Sequence, residues 1–394
     1  MSFMLKQRTL GKSAVLLFFF WWITSCKKDI SSPYQAIYGV PSNFGQAFDE
    51  FWDQMNTNYV FWDIDTSNWD AVYSVYKPAF GKLNLHNKSD VERSVQYLRQ
   101  ITKALIDSHF KVSFTDSNVI DSSIFPSFDR KIASPAFHNP FPYIRIDTNY
   151  LDANYRIGYD STTNPNQAAV YCLFGTINQK ILYFTCSAFY MFESYTSVEN
   201  NGVKPVLNAF FNAISNFNYR GIIIDVRENS GGDLSDLNLI VGKMISKPLH
   251  FGYTRFKSGN GRLDYTPWVD AFVNPVAADI VTPQVPVIVL ADNFSASLAE
   301  IMTMAIHSLP NGLFIGETTW GATGSVVAGS LLNDGPFSVP EYISVYMSSS
   351  EFKYLDNRNY EGIGFPPDVN VPFNEGLLDS GDDIQLDSAI SRLN

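Results

Sequence analysis

Val287-Ile288-Val289-Leu290-Ala291-Asp292-Asn293-Phe294-Ser295-Ala296-Ser297-Leu298-Ala299-Glu300 decides the fold. The run Val287–Leu290 has the length and β-branched content of a buried strand. Asp292-Asn293-Phe294 reads as a turn, and the apolar residues from Leu298 to Ile306 read as a helix. Ser297 therefore falls at the first turn of a helix, where backbone N–H groups lack intrahelical partners and can hold an oxyanion. The same serine, with Glu300 three positions on, also forms a capping box. Taken alone, the segment reads as a cap before it reads as a nucleophile.

The flanking chain repeats the strand-then-helix rhythm. A strand at Ile181–Cys186 precedes a helix at Val203–Phe217, and a strand at Gly221–Val226 precedes a helix at Leu234–Ile245. After the quoted stretch comes a strand at Leu313–Ile315, with further strands expected near Ser325–Leu331 and Tyr342–Met347. Alternation of this kind predicts an α/β layer with parallel pairs over residues 181–394. Upstream, Phe48, Phe51, Trp52, Met55 and Tyr59 recur at helical spacing, as do Trp69, Val72, Tyr73, Tyr76 and Phe80. A third helix is expected to open at Ser89 with Glu92 as its capping partner, giving a three-helix bundle over 44–108. Residues 109–180 read as a small β-rich segment, with strand candidates at Tyr143–Ile146 and Ala168–Leu173.

The chain has 394 residues, 17% charged and 15% aromatic, which supports a large core. A net charge of −11 argues against nucleic acid and anionic membrane surfaces as partners. Lys6, Arg8 and Lys12 followed by the apolar run Ala14–Trp22 read as a signal peptide over 1–25. Ile23-Thr24-Ser25-Cys26 resembles a bacterial lipobox, which implies a lipidated Cys26, a tether over 26–43 and an envelope location, on the periplasmic or surface side of the outer membrane. Cys172 and Cys186 lie on two β-like runs where they could face each other; a disulfide and two free thiols are both compatible with that placement. No Cys/His cluster points to a metal, and no motif implies an organic cofactor.

Three other segments carry candidate chemistry. Asp225-Val226-Arg227-Glu228-Asn229-Ser230-Gly231-Gly232 follows a buried strand, and its paired glycines can turn N–H groups inward. Asp107-Ser108-His109 ends the helical region; among five histidines, His109 has a neighbouring hydroxyl able to orient its ring. Glu361-Gly362-Ile363-Gly364-Phe365-Pro366-Pro367-Asp368 is turn-rich and carries an acid.

In this order these segments, with Gly316-Glu317-Thr318, resemble the C-terminal processing (tail-specific) and tricorn-type serine peptidases. The resemblance spans roughly residues 44–372 and implies a crotonase-like α/β core. The tail-specific branch places a lysine base twenty-five positions after the serine; here that position is Ala322, and no lysine lies between Lys257 and Lys353. The tricorn-like branch uses a Ser-His pair and a late glutamate instead. The resemblance thus implies Ser297 as nucleophile, His109 as general base, Glu361 orienting the imidazole and Ser108 assisting. The oxyanion hole would come from the N–H groups of Gly231 or Gly232 and of Leu298, and Glu300 would be structural. A protein or peptide substrate follows, cleaved by an acyl-enzyme route. The absent lysine motivates a second reading, a catalytically silent peptide- or ligand-binding lipoprotein, because the fold by itself does not fix function. A PDZ-type carboxylate-binding loop is not recognisable in 115–180.

Overall fold

The computed structural model describes residues 39–394 except 136, 163–168, 200, 216–217, 278–279, 281 and 327–334. The signal peptide, Cys26 and most of the tether lie outside the described residues, as does most of the strand expected at Ser325–Leu331. No helix among the described residues is long and apolar enough to cross a membrane.

A seven-stranded sheet forms the centre. Its order is Val369–Asn370, Gly312–Gly316, Val287–Ala291, Gly221–Asp225, Ile181–Cys186, Val170–Ile177 and Arg156–Asp160. The first five run parallel, and the last two join as an antiparallel meander. Strands such as Ile181–Cys186, Gly221–Asp225 and Val287–Ala291 are buried along their whole length, as expected for parallel strands covered on both faces. On one face lie the helices Val203–Ile214 and Leu298–His307, with Phe210 stacked on Phe184 at 4.5 Å. On the other, Leu386, Ala389 and Leu393 of the C-terminal helix Ile384–Leu393 pack on Tyr183, Ile223 and Ile288. Each such fully buried aliphatic or aromatic side chain contributes about 1.5–3 kcal/mol relative to exposure.

Three helices, Phe44–Asn58, Trp69–Phe80 and Lys88–Thr102, open the described chain. Each begins behind an asparagine, Asn43, Asn68 and Asn87, whose side chain accepts a backbone N–H of the first turn. The third helix is thus capped two residues before the expected position, Ser89: Asn87, with extended backbone, takes the cap by accepting the N–H of Asp90. Phe48 stacks on Phe80 at 4.7 Å. Trp52 and Trp69 each donate their indole N–H to the other's carbonyl.

Residues 109–180 do not form a β-rich layer of their own. Tyr143–Ile146, expected as a strand, belongs to the helix Ile144–Tyr150, with Pro142 just before it and Asp147 in its first turn. The strands Arg156–Asp160 and Val170–Ile177 extend the central sheet. Lys111–Phe114 pairs with Ile343–Tyr346, which also pairs with Phe337–Val339. That pairing ties the end of the helical region to the C-terminal part of the chain and brings His109 beside Ser348. A second small sheet, Ser350–Tyr354, Leu249–Phe256 and Val269–Val273, lies outside the elements read from the sequence. Cys172 and Cys186 are directly opposite across the antiparallel pair, buried, and free thiols.

Candidate active site

The chemistry-bearing turns leave the carboxyl ends of two adjacent parallel strands, Gly221–Asp225 and Val287–Ala291, the place where open α/β sheets bind ligands. Asp292 shapes the second turn. Its Oδ1 accepts the N–H groups of Phe294 and Ser295 and also that of Glu228 from the first turn. Ser295 locks the two together by donating its hydroxyl to the carbonyl of Val226 at 2.7 Å.

Ser297 sits at the N-cap of the helix Leu298–His307 with φ 56° and ψ −122°, a backbone shape that L-residues rarely adopt and that collects at functional sites. Glu300 is 0% exposed. Its carboxylate accepts the backbone N–H of Ser297, the hydroxyl of Thr319 and the N–H groups of Gly321 and Ala322. It therefore staples the loop 319–322 to the start of the helix. Ala322, in the position of the tail-specific lysine, lines the cavity beside Ser297.

That cavity, about 420 Å³, is bounded by Ser297, His109, Gly232, Leu298, Ile301 and Tyr346 among others. Nucleophile candidate and base candidate thus share one chamber despite 188 residues of separation. Burial pulls the His109 imidazole down to about 4, so the ring is neutral at physiological pH; its edge on the cavity gives water a route that eases that pull.

The ring's partner differs from the expected one. Nδ1 of His109 lies 3.3 Å from Oγ of Ser348, and that hydroxyl donates to Oδ1 of Asp107 at 2.9 Å. Asp107 also accepts the backbone N–H groups of Ser348 and His109. Burial raises its carboxyl to about 6 against these donors. Glu361 does not orient the imidazole. Its two oxygens accept the N–H of Ser108, the N–H and hydroxyl of Thr323 and the N–H of Gly324. Four donors saturate this carboxylate, so it clamps the loop before the ring and not the ring itself. Burial, and then the nearby Asp107, push the Glu361 carboxyl up. Ser108 takes part through its backbone N–H; its hydroxyl makes no hydrogen bond to His109.

The oxyanion donors also narrow. The N–H of Gly231 donates to Oδ1 of Asn229 at 2.9 Å, so it is spoken for. Asn229 in turn donates to the carbonyl of Cys186 and accepts, through its own carbonyl, the N–H of Ala296. Gly231, at φ 96°, leaves no room for a side chain: a Cβ would stand 2.7 Å from Ser297 Cβ and from the N of Leu298. The N–H groups of Gly232 and Leu298 have no hydrogen-bond acceptor among the described residues and both border the cavity.

Arg227 is structural. Fully buried, it chelates Asp225 through Nε and Nη2, bonds Asp383 and Gln385 through Nη1, and lies 3.8 Å over the ring of Tyr143. It joins the end of the strand Gly221–Asp225 to the cap of the C-terminal helix. Asn229 stands in the turn read from the sequence but without a role of its own, and Ser348 is invisible as a site residue, in an unremarkable serine run 239 residues from His109. Among the described residues no cluster of side chains has the makings of a metal site.

Residues 180–371 match peptidase family S41, and residues 41–83 match the tricorn protease C1 domain. The chain is 27% identical over 188 residues to tricorn protease of Thermoplasma acidophilum, a match covering 48% of this chain and 15% of that one. It is 29% identical over 174 residues to tricorn protease homolog 1 of Streptomyces coelicolor, covering 43% and 14%. The chain therefore spans about a seventh of the length of these relatives. A protein of known structure from Parabacteroides merdae shares the fold, with TM-score 0.67 and 23% identity over 90% of this chain and 97% of that one. The segment 180–371 is thus a peptidase family S41 domain, preceded by a tricorn protease C1 segment.

Proposed function

We propose that the protein is an envelope-anchored serine endopeptidase that cleaves proteins or peptides through an acyl-enzyme, on a crotonase-like core. The observation that carries this reading is the shared cavity: a serine in a strained backbone conformation, a neutral imidazole and two unoccupied N–H donors line one chamber. Ser297 Oγ attacks the scissile carbonyl carbon while Nε2 of His109 takes its proton. The Gly232 and Leu298 N–H groups receive the oxyanion. Collapse breaks the C–N bond, and the imidazolium returns its proton to the leaving amine. Water then hydrolyses the ester by the same route reversed. Asp107, acting through the hydroxyl of Ser348, holds Nδ1–H and stabilises the imidazolium, the part usually played by a directly bonded carboxylate.

Ser297→Ala is expected to lower peptidase turnover by about 10⁴ or more and to abolish labelling by a fluorophosphonate, with an unchanged circular dichroism spectrum. Equal turnover by both proteins rejects the reading. The anchor rests on the sequence around Cys26. Cys26→Ser is expected to move the protein from the membrane fraction to the soluble fraction, and retention in the membrane rejects lipidation.

A further inference from the structure

Behind the loop that carries His109 lies a second cavity, of about 390 Å³, lined by Ser108, Arg130, Lys131, Asn293, Thr318 and Ile363 among others. Its lining is cationic in a chain of net charge −11. Neither cation has an acidic partner: among the described residues no carboxylate lies within ion-pair distance of Arg130 or Lys131, while the adjacent Asp129 is taken by Arg99 at 3.0 Å. Arg130 spends two of its five N–H donors on the carbonyls of Lys103 and Leu105. Lys131 spends two of its three on Asn293 Oδ1 and the carbonyl of Thr319. Both therefore retain charge and donors. A further group points the same way. Ser108 is 4% exposed, and its hydroxyl bonds no described residue.

We infer that this cavity is a binding site for a small oxyanion, a phosphate or carboxylate head group, held by Arg130, Lys131 and the hydroxyls of Ser108 and Thr318. A planar guanidinium beside an ammonium and hydroxyl donors is the donor set that such anions select. The site would also be coupled to the chamber already described. Ser108 donates its N–H to Glu361 and precedes His109, and Gly362 and Ile363, which follow Glu361, form part of the wall. An anion seated here pulls on both strands of that clamp.

The test is calorimetry and thermal melting of the protein with sodium phosphate, and separately with sodium acetate, against sodium chloride at matched ionic strength. Binding of one of them above the chloride control is expected, with a melting temperature that rises with its concentration; which salt binds identifies the head group. Lys131→Gln is expected to weaken that binding roughly tenfold, and Thr318→Val, which removes a lining hydroxyl, to weaken it measurably. Lys180→Gln, the same charge change on a distant exposed lysine, should leave it unaltered. No binding beyond chloride, or equal affinity in Lys131→Gln and wild type, overturns the site; so does equal weakening by Lys180→Gln, which would mark general charge screening. The readout is affinity, so it stands or falls apart from the peptidase reading.

Discussion

Two buried acidic clusters flank the turns of the candidate site, and they solve the same electrostatic problem in opposite ways. Behind the sheet, Asp225, Asp383 and Asp147 surround one guanidinium, that of Arg227. In front of it, Asp107, Glu361 and Glu300 have no cation in contact among the described residues and are held by backbone N–H groups and hydroxyls. A cation-centred cluster is rigid and all-or-none, since removing its centre strands several charges. A cluster satisfied by many dipoles tolerates small movements, and burial raises each of its acids, Asp107 to about 6. The first arrangement suits a staple and the second suits neighbours of a proton-transferring ring.

The sharpest way to break this contrast is Arg227→Met. It should cost about 3–5 kcal/mol of stability in a denaturant melt, because it leaves buried carboxylates unpaired. Asp147 already lacks a hydrogen bond to either oxygen, and burial with the neighbouring Asp225 raises it to about 8, so protonation there limits the loss. A cost below 1 kcal/mol would show that the cluster is not centred on Arg227. Glu361→Gln should cost less, about 1–3 kcal/mol, since an amide nitrogen must then face N–H donors; no loss would mean that the clamp is dispensable.

Protonation state distinguishes the clusters further. In the peptidase reading kcat/KM falls in two steps as pH drops: a modest one near 6, where Asp107 gains a proton and stops accepting from Ser348, and a larger one near 4, where His109 itself is protonated. A base must be neutral to act, so the sign is loss on the acid side for both. Asp107→Asn should remove the upper step and leave the lower; an unchanged two-step profile would assign the upper step elsewhere. The smallest effect is expected for Ser348→Ala, roughly tenfold in kcat at an unaltered melting temperature, while a melting shift without a rate change would make Ser348 merely structural.

How much of this was legible in the sequence follows from the range of the interactions. The strands Ile181–Cys186, Gly221–Asp225 and Val287–Ala291 are apolar runs whose local pattern already states their burial. The sequence pattern suggests a strand at Tyr143–Ile146 where the helix Ile144–Tyr150 stands, because a seven-residue helix carries too few turns to display a period. Glycine pairing after Asp225 announced an anion-facing turn. It could not say which N–H remains available, since that depends on the side chain of Asn229. Likewise Glu361 was recognisable as a functional acid by resemblance, but its bond to the backbone of Ser108 instead of the ring is a matter of less than a turn of chain. Ser348 had no local signature, because its meaning comes from a strand pairing between Lys111–Phe114 and Ile343–Tyr346.

The left-handed backbone of Ser297 has a thermodynamic corollary. Glycine would occupy that conformation without penalty and is also an acceptable helix cap, so Ser297→Gly should yield a protein that is inert yet melts higher than the parent, by on the order of 1 kcal/mol. Selection for robustness alone would drift this position toward glycine. In the peptidase reading, a hydroxyl kept at so uncomfortable a point in the chain is one that catalysis, and not folding, holds in place.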